Sequence, residues 1–381
     1  RKIGVAGFDR GLHGEGFRGG RRSEKKHGAT RRDRVKNHCS NGVLLRCGIG
    51  KERCPPLTTA ASGQSLGHNR GLFRPLTLDQ TMLGFLPPVV RGVIALTLLV
   101  INTLFWCALL LTLALVKLVL PFAVVRKAID PVLNAIATAW IACNSGWMRL
   151  TQRTQWDVQG VAELPYRGWY LVNCNHQSWV DIFVLQHVMN RRIPLLKFFL
   201  KQELIWVPVI GLAWWALDFP FMKRHSLAAL RKNPELRQQD RETTRKACAK
   251  FALVPTSVMN FAEGTRFTRE KHKKQASPYR HLLKPKAGAL ALAMNAMGEQ
   301  FHSLIDVTIV YPAGAPTFWH FLCGTTPRVI LRARQLPIPP EFCTSDYEGD
   351  AEFRGVLHRW LADIWAFKDE QIEQLLKGSK P

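Results

Sequence analysis

Between Gly92 and Val116 the chain runs for 25 residues without a charge, reading GVIALTLLVINTLFWCALLLTLALV. A helix rising about 1.5 Å per residue reaches roughly 37 Å over that length, beyond the hydrocarbon core of a bilayer. Core helices of soluble proteins seldom run so far without a polar face, so a membrane-inserted helix is expected. Lys117 interrupts the run, LVLPFAVV resumes it, and Arg126 and Lys127 close it, so a helical hairpin turning at Pro121 stands open beside a single span. Basic residues flank both ends, and the positive-inside rule assigns no orientation. The stretch is too long for a cleaved signal peptide and no small-residue cleavage pattern follows it, so it reads as an anchor.

Residues 1–81 differ from everything that follows. They are rich in Arg, Gly, Ser and His, show no helical or strand periodicity, and begin with Arg1; the first methionine is Met82. The expectation is either that the true start lies at Met82 or that residues 1–81 are a disordered basic extension without catalytic residues. The chain carries 53 Lys and Arg against 28 Asp and Glu, a net charge of +25, which favours acidic surfaces: nucleic acid or anionic lipid. Runs such as RRSEKK and RRDRVK have no interleaved aromatics for base stacking, and no nucleic-acid-binding signature follows, so nucleic acid is not expected as a partner. The nine cysteines form no CxxC pair; Cys39, Cys47, Cys54 and His38 fit no standard metal spacing. A reducing compartment and no bound metal are expected.

Beyond residue 150 the pattern turns to that of an α/β domain. WYLVNCNH reads as a buried strand ending in a polar turn, and DIFVLQHVMN keeps helical spacing. TSVMNFAEGTR, SLIDVTIVY and RVILRARQL read as further strands, with helices expected near 239–252 and 286–297. A mixed or mostly parallel sheet covered by helices follows, with its site at the strand ends.

NHQSWVD, residues 175–181, sits at such a strand-to-helix junction and sets His176 five positions before Asp181. A carboxylate that accepts one imidazole N–H fixes the tautomer and stabilises the cation formed when the other nitrogen takes a proton. Taken alone, the pair could equally be a helix-capping turn. NFAEGTRFT, residues 260–268, offers Glu263, a turn at Gly264, the Thr265 hydroxyl and the Arg266 guanidinium. A planar guanidinium and backbone amides at a glycine turn suit a phosphate, although a strand-end turn with a surface ion pair would read the same way.

NHQSWVD followed by FAEGTRFT about 85 residues later resembles the paired signatures of the glycerophospholipid acyltransferases, whose best-known members are the 1-acylglycerol-3-phosphate acyltransferases. DFPFMKR, residues 218–224, resembles the family's second motif, ending in a phosphate-contacting arginine, here Arg224; DVTIVYP, residues 306–312, resembles the fourth. Asp218 stands where the second motif usually has glycine, and the fourth block lacks the proline of the common form. These details are more similar to the lysocardiolipin and lysophosphatidylinositol acyltransferases and the bacterial YihG-type proteins. The resemblance implies transfer of an acyl group from a thioester, acyl-CoA or acyl-carrier protein, to a lysophospholipid hydroxyl, with no resident cofactor. It implies His176 as base, Asp181 as its orienter, and Arg266 and Arg224 on the phosphate. Gly264 and Thr265 would shape the loop, and Glu263 would orient Arg266 or a bound hydroxyl.

Two alternatives stand beside this reading: a lipid hydrolase using Ser178, which lacks a GxSxG elbow, and a non-catalytic membrane-anchored binding protein. The expected organisation is a basic extension over 1–81, a membrane-anchoring segment over 82–130, an acyltransferase domain over 131–345 and a C-terminal helical tail over 346–381. Partners would be the lysophospholipid acceptor, the thioester donor and membrane lipids, with the protein in a bacterial inner membrane and its catalytic domain on the cytoplasmic face. LIWVPVIGLAWWAL, residues 204–217, reads first as plain core and second as an interfacial helix; KPKAGAL, with Lys284 and Lys286, reads first as a helix start and second as a place beside an anionic headgroup; His187, His225 and His302 read as surface or core.

Overall fold

The computed structural model describes residues 82–379, apart from 121, 163, all but two positions of 223–253, and 345, 346 and 348. Two long helices come first, α1 (Pro88–Val119) and α2 (Ala123–Thr151). Then follow β1 (Gln155–Gln159), β2 (Trp169–Cys174), α3 (Val180–Met189), β3 (Leu196–Phe198), β4 (Leu200–Lys201), a 3₁₀ turn (Gln202–Trp206), α4 (Ile210–Ala216) and β5 (Phe221–Met222). The remainder comprises β6 (Ser257–Phe261), α5 (Arg269–Gln275), α6 (Gly288–Met297), β7 (Phe301–Val310), α7 (Phe318–Leu322), β8 (Arg328–Leu336), α8 (Glu341–Thr344) and α9 (Ala351–Lys377). The helix expected near 239–252 and the arm 1–81 lie outside the described residues.

Six strands form one sheet in the order β1-β8-β7-β2-β6-β3. Only the β7–β8 pair is antiparallel. Strand alternation divides two cores. Tyr170, Val172 and Cys174 of β2 join Ile305, Val307 and Ile309 of β7 beneath α1, α2 and α3, whereas Leu171, Leu304 and Val310 face α6 and α9 on the other side. The sheet is therefore covered on both faces, as its nearly continuous apolar strands require. The C-terminal segment does not hang off as a tail. Asp350 caps α9 by accepting from the amides of Glu352 and Phe353, and Leu357, Leu361 and Trp365 bury themselves in the second core.

The segment read as an anchor folds as a helical hairpin. Pro88 begins α1, where its missing N–H costs nothing. Ala95, Cys107, Leu110 and Ala114 point inward, and the small residues among them let α2 approach closely. Asn102 crosses between the helices, its amide donating to Asn144 Oδ1 at 2.8 Å and to the Trp140 carbonyl at 3.2 Å. The boundary expected at residue 130 falls within α2, because the helix runs unbroken through Pro131 into the body. Lys117 Nζ sits 2.7 Å from both Asp130 and Asp218, so the residue that interrupts the apolar run is neutralised by α2 and by the end of α4.

Asp218 has a left-handed backbone, φ +58°. That conformation explains why glycine suits the position, and here the carboxylate binds Lys117 and Arg126. Residues 204–217 are not plain core. Gly211, Ala213 and Ala216 bury one face of α4, but Trp206 is 84% exposed and Trp215 45%, because the segment lies on the surface beside α1.

Candidate active site

Strand register brings the two motifs together. Cys174, the last residue of β2, pairs with Phe261, the last of β6, in a parallel ladder. The loops that follow therefore leave adjacent strands at the same level, at the carboxyl edge where open α/β sheets hold their sites. Two bonds tie the loops: the Phe267 amide donates to the His176 carbonyl at 2.7 Å, and the His176 amide donates to Glu263 Oε1 at 2.9 Å.

His176 Nδ1 donates to Asp181 Oδ2 at 2.9 Å, and the imidazole stacks on Phe261 with centroids 4.0 Å apart. The same Oδ2 accepts the backbone amides of Gln177 and Ser178 at 2.6 and 2.9 Å. Tyr311, just past β7, donates its hydroxyl to Oδ1 at 2.7 Å. Asp181 is fully buried, so all four donors substitute for water around its charge. With Nδ1 held this way, Nε2 is the nitrogen available to accept a proton. Ser178 donates its hydroxyl to the Pro316 carbonyl at 2.6 Å and accepts from the Val180 amide, which caps the start of α3.

Arg266 is exposed, with its guanidinium carbon 4.7 Å from the centre of the Trp179 ring, a cation–π contact between the two motifs. Among the described residues no carboxylate pairs with it, so its fork remains available to an anion. Gly264 takes φ +68°, and Lys286 stands beside it where a Cβ would lie 3.5 Å from the ammonium. Thr265 Oγ1 accepts from Lys271 Nζ at 2.8 Å, and Lys271 also donates to the Arg266 carbonyl. Two lysines thus flank the arginine.

Glu263 differs from expectation. It is fully buried, and its second oxygen accepts the Leu283 amide at 3.1 Å, so the carboxyl group supports the two loops from beneath instead of meeting Arg266 or a ligand. Burial pushes its pKa up to about 8 against the opposing pull of the two amides. Arg224 lies outside the described residues. His187 is half-buried on α3: its ring lies 4.6 Å from Trp156, and burial lowers its pKa to about 4, helped by Arg149 and Arg192.

Tyr311, Asn175, Trp179 and Lys271 carry contacts in the site that the motif reading gave no role, whereas Lys286 stands beside the Gly264 turn, in line with the headgroup alternative for KPKAGAL. Asn175 donates to the Ile309 carbonyl and accepts from the Ile309 amide, both at 2.9 Å, so its side chain extends the β2–β7 ladder past the end of β2. Asn175 opens the motif NHQSWVD and Tyr311 lies in DVTIVYP, and those blocks were the signal for both.

Residues 155–313 match the family model described as Acyltransferase. The chain is 25% identical over 237 residues to mouse 1-acyl-sn-glycerol-3-phosphate acyltransferase gamma, covering 58% of this chain and 57% of that one. It is 25% identical over 214 residues to the human delta enzyme, covering 52% of each. It thus spans about half the length of the curated relatives it matches. A similar solved structure is the 1-acyl-sn-glycerophosphate (LPA) acyltransferase PlsC from Thermotoga maritima, at 19% identity and a TM-score of 0.43, covering 73% of this chain and 96% of that one. Over residues 155–313 the chain is thus similar to the acyltransferase family, and to the 1-acylglycerol-3-phosphate acyltransferases in particular.

Proposed function

We propose that this protein moves a fatty acyl group from a thioester to the free hydroxyl of a lysophospholipid, lysophosphatidic acid or a related lyso-glycerophospholipid, at a membrane surface. The observation that carries the reading is the 2.9 Å bond between His176 Nδ1 and Asp181 Oδ2, on a loop tied to the one bearing Arg266. His176 Nε2 takes the acceptor's hydroxyl proton as that oxygen attacks the thioester carbonyl carbon. The tetrahedral intermediate then collapses with cleavage of the C–S bond. A thiolate whose conjugate acid has a pKa of about 8.5 leaves readily, and the imidazolium returns the proton to it. Ester and thiol are the products, and Asp181 stabilises the transient imidazolium throughout.

Arg266 with Lys271 and Lys286 supplies positive charge for the acceptor phosphate. The donor is acyl-CoA or acyl-carrier protein; because both are cytosolic, the domain would face the cytoplasm of a bacterial inner membrane, held there by α1. Ser178 as a hydrolase nucleophile fits poorly, since its hydroxyl already donates to the Pro316 carbonyl.

The test is an assay of purified protein with labelled acyl-CoA or acyl-carrier protein against a panel of lysophospholipids. His176→Ala should lower kcat by about 10² to 10⁴, the span usual for losing a general base. Asp181→Asn should also be severe, because its amide favours the wrong tautomer and cannot stabilise the cation. Ser178→Ala should remain active. A trappable acyl-serine, or an active His176→Ala, overturns the reading.

A further inference from the structure

The geometry points to Tyr311 as a positioning residue: we propose that its hydroxyl fixes the Asp181 carboxylate in the plane that serves His176 and sets how strongly that carboxylate holds the imidazolium. This rests on the proposed acyl transfer by the His176 base. Asp181 Oδ2 gathers three donors, His176 Nδ1 and the amides of Gln177 and Ser178, while Oδ1 is held by Tyr311. Two oxygens anchored from opposite sides cannot rotate about the Cβ–Cγ bond. The three donors on Oδ2 come from the motif's own loop and move with it. Tyr311 is the sheet's contribution: β7 pairs with β2 up to Val307 opposite Cys174, and the Asn175 side chain continues the ladder at Ile309. Two residues further on, the same face of the chain delivers the phenol.

Tyr311 is 3% exposed, so water cannot replace it. Burial and the Asp181 charge push the phenol well above its usual range, so it remains a donor at every working pH. Its removal leaves Oδ1 a buried acceptor without a partner. Electron density then returns to the carboxylate, the imidazolium is held more tightly, and a higher pH is needed to free Nε2. The other ionisable groups around the pair are Cys174 on β2, Glu263 after β6, Asp306 on β7 and Lys368 on α9. Cys174 also interacts with Tyr311, so the pH profile is read together with the His176 Nδ1–H resonance, which reports on the His176–Asp181 bond directly.

The experiment compares wild type, Tyr311→Phe and a protein carrying 3-fluorotyrosine at position 311. Phenylalanine keeps the ring and its packing. Its kcat should fall roughly tenfold to thirtyfold, because loss of the carboxylate's alignment with the imidazole outweighs its greater basicity, with the acceptor KM unchanged. The acid limb of its pH–rate profile should move to higher pH. Fluorotyrosine, a more acidic donor, should move that limb to lower pH, and it serves alone if Tyr311→Phe fails to fold. A packing role would leave the limb in place. In parallel, the downfield His176 Nδ1–H proton resonance, identified by its loss in His176→Ala, should shift in both variants. Unmoved limbs with an unmoved resonance overturn the proposal. A wild type that transfers no acyl group while the resonance still shifts overturns the catalytic reading and leaves the positioning intact.

Discussion

At the scale of single residues, the separation of charge from shape is sharpest at Arg266. Its guanidinium lies across Trp179 without a carboxylate partner among the described residues, so the fork is free to take two oxygens of one phosphate. Arg266→Lys keeps the charge and loses both the fork and the flat stacking surface. The apparent KM for the lysophospholipid should rise about tenfold, with the donor KM moving less; an unchanged acceptor KM in steady-state kinetics would make Arg266 structural. Glu263 makes the opposite case, an ionisable residue whose work is internal. Its carboxyl meets two backbone amides, so Glu263→Gln turns an NH₂ group toward one of them and leaves a buried donor unpaired, at a cost of about 1–3 kcal/mol. Because its folded pKa is raised from 4.5 to about 8, the protonated form is favoured by folding: its stabilisation is full below pH 4.5 and is lost as pH rises toward 8. Thermal unfolding across that window should show a decline in wild type and a flatter curve in Glu263→Gln. Equal slopes would mean that Glu263 ionises as it does in the unfolded chain.

At the scale of elements, Lys117 shows how a charge survives in an apolar hairpin. Its ammonium lies between Asp130 and Asp218, with side-chain exposures of only 12 to 15% across the three. Breaking such a buried group by removing one member costs about 3–5 kcal/mol, whereas removing charges together can be nearly neutral. Lys117→Met should therefore lower the unfolding midpoint in detergent markedly, and Lys117→Met with Asp130→Asn should recover more than half of the loss; additive losses would show that the charges do not interact. The sequence revealed Lys117 as an interruption but could not name its partners, since Asp218 is 101 positions away. The same distance rule divides the site. His176 and Asp181 were legible because five positions across a strand-to-helix turn return the chain to itself. The strands β2, β6, β7 and β8 were legible from their apolar runs, and the loop at Gly264 from its glycine. Tyr311 was not legible as the partner of Asp181, because 130 residues separate them and only the strand order makes β7 a neighbour of β2. Glu263 was misread for a related reason: a carboxylate in a polar loop gives no sign that the loop folds down over it.

At the scale of the whole molecule, α1 carries two different faces. Gly92 near its start packs against Cys323 and Trp319, Lys117 near its end meets Asp218, and Ala95, Cys107 and Leu110 between them enter the core that covers the sheet. The opposite face carries Val93, Leu96, Val100 and Leu104, all exposed and spaced to form one apolar stripe. Trp206 and Trp215 extend apolar surface onto the neighbouring segment, as aromatic side chains do at the level of lipid headgroups. On the proposed membrane-surface reading, lipid covers this outward-facing apolar stripe. A charged side chain deep in the hydrocarbon costs about 2.5–3.5 kcal/mol. Val100→Glu with Leu104→Glu should therefore release the protein from vesicles in a flotation assay at high salt, where attraction through the net positive charge is screened. The unfolding midpoint should hardly move, because neither side chain belongs to the core. Ala95→Glu should instead unfold the hairpin packing, since Ala95 is fully buried. The released variant should still acylate a short-chain lysophospholipid dissolved as monomers at close to the wild-type kcat, while its turnover of acceptor embedded in vesicles falls at least tenfold. Retained flotation would show that the stripe does not face lipid, and equal losses on both acceptors would mean that α1 supports the catalytic fold itself and not access to the membrane.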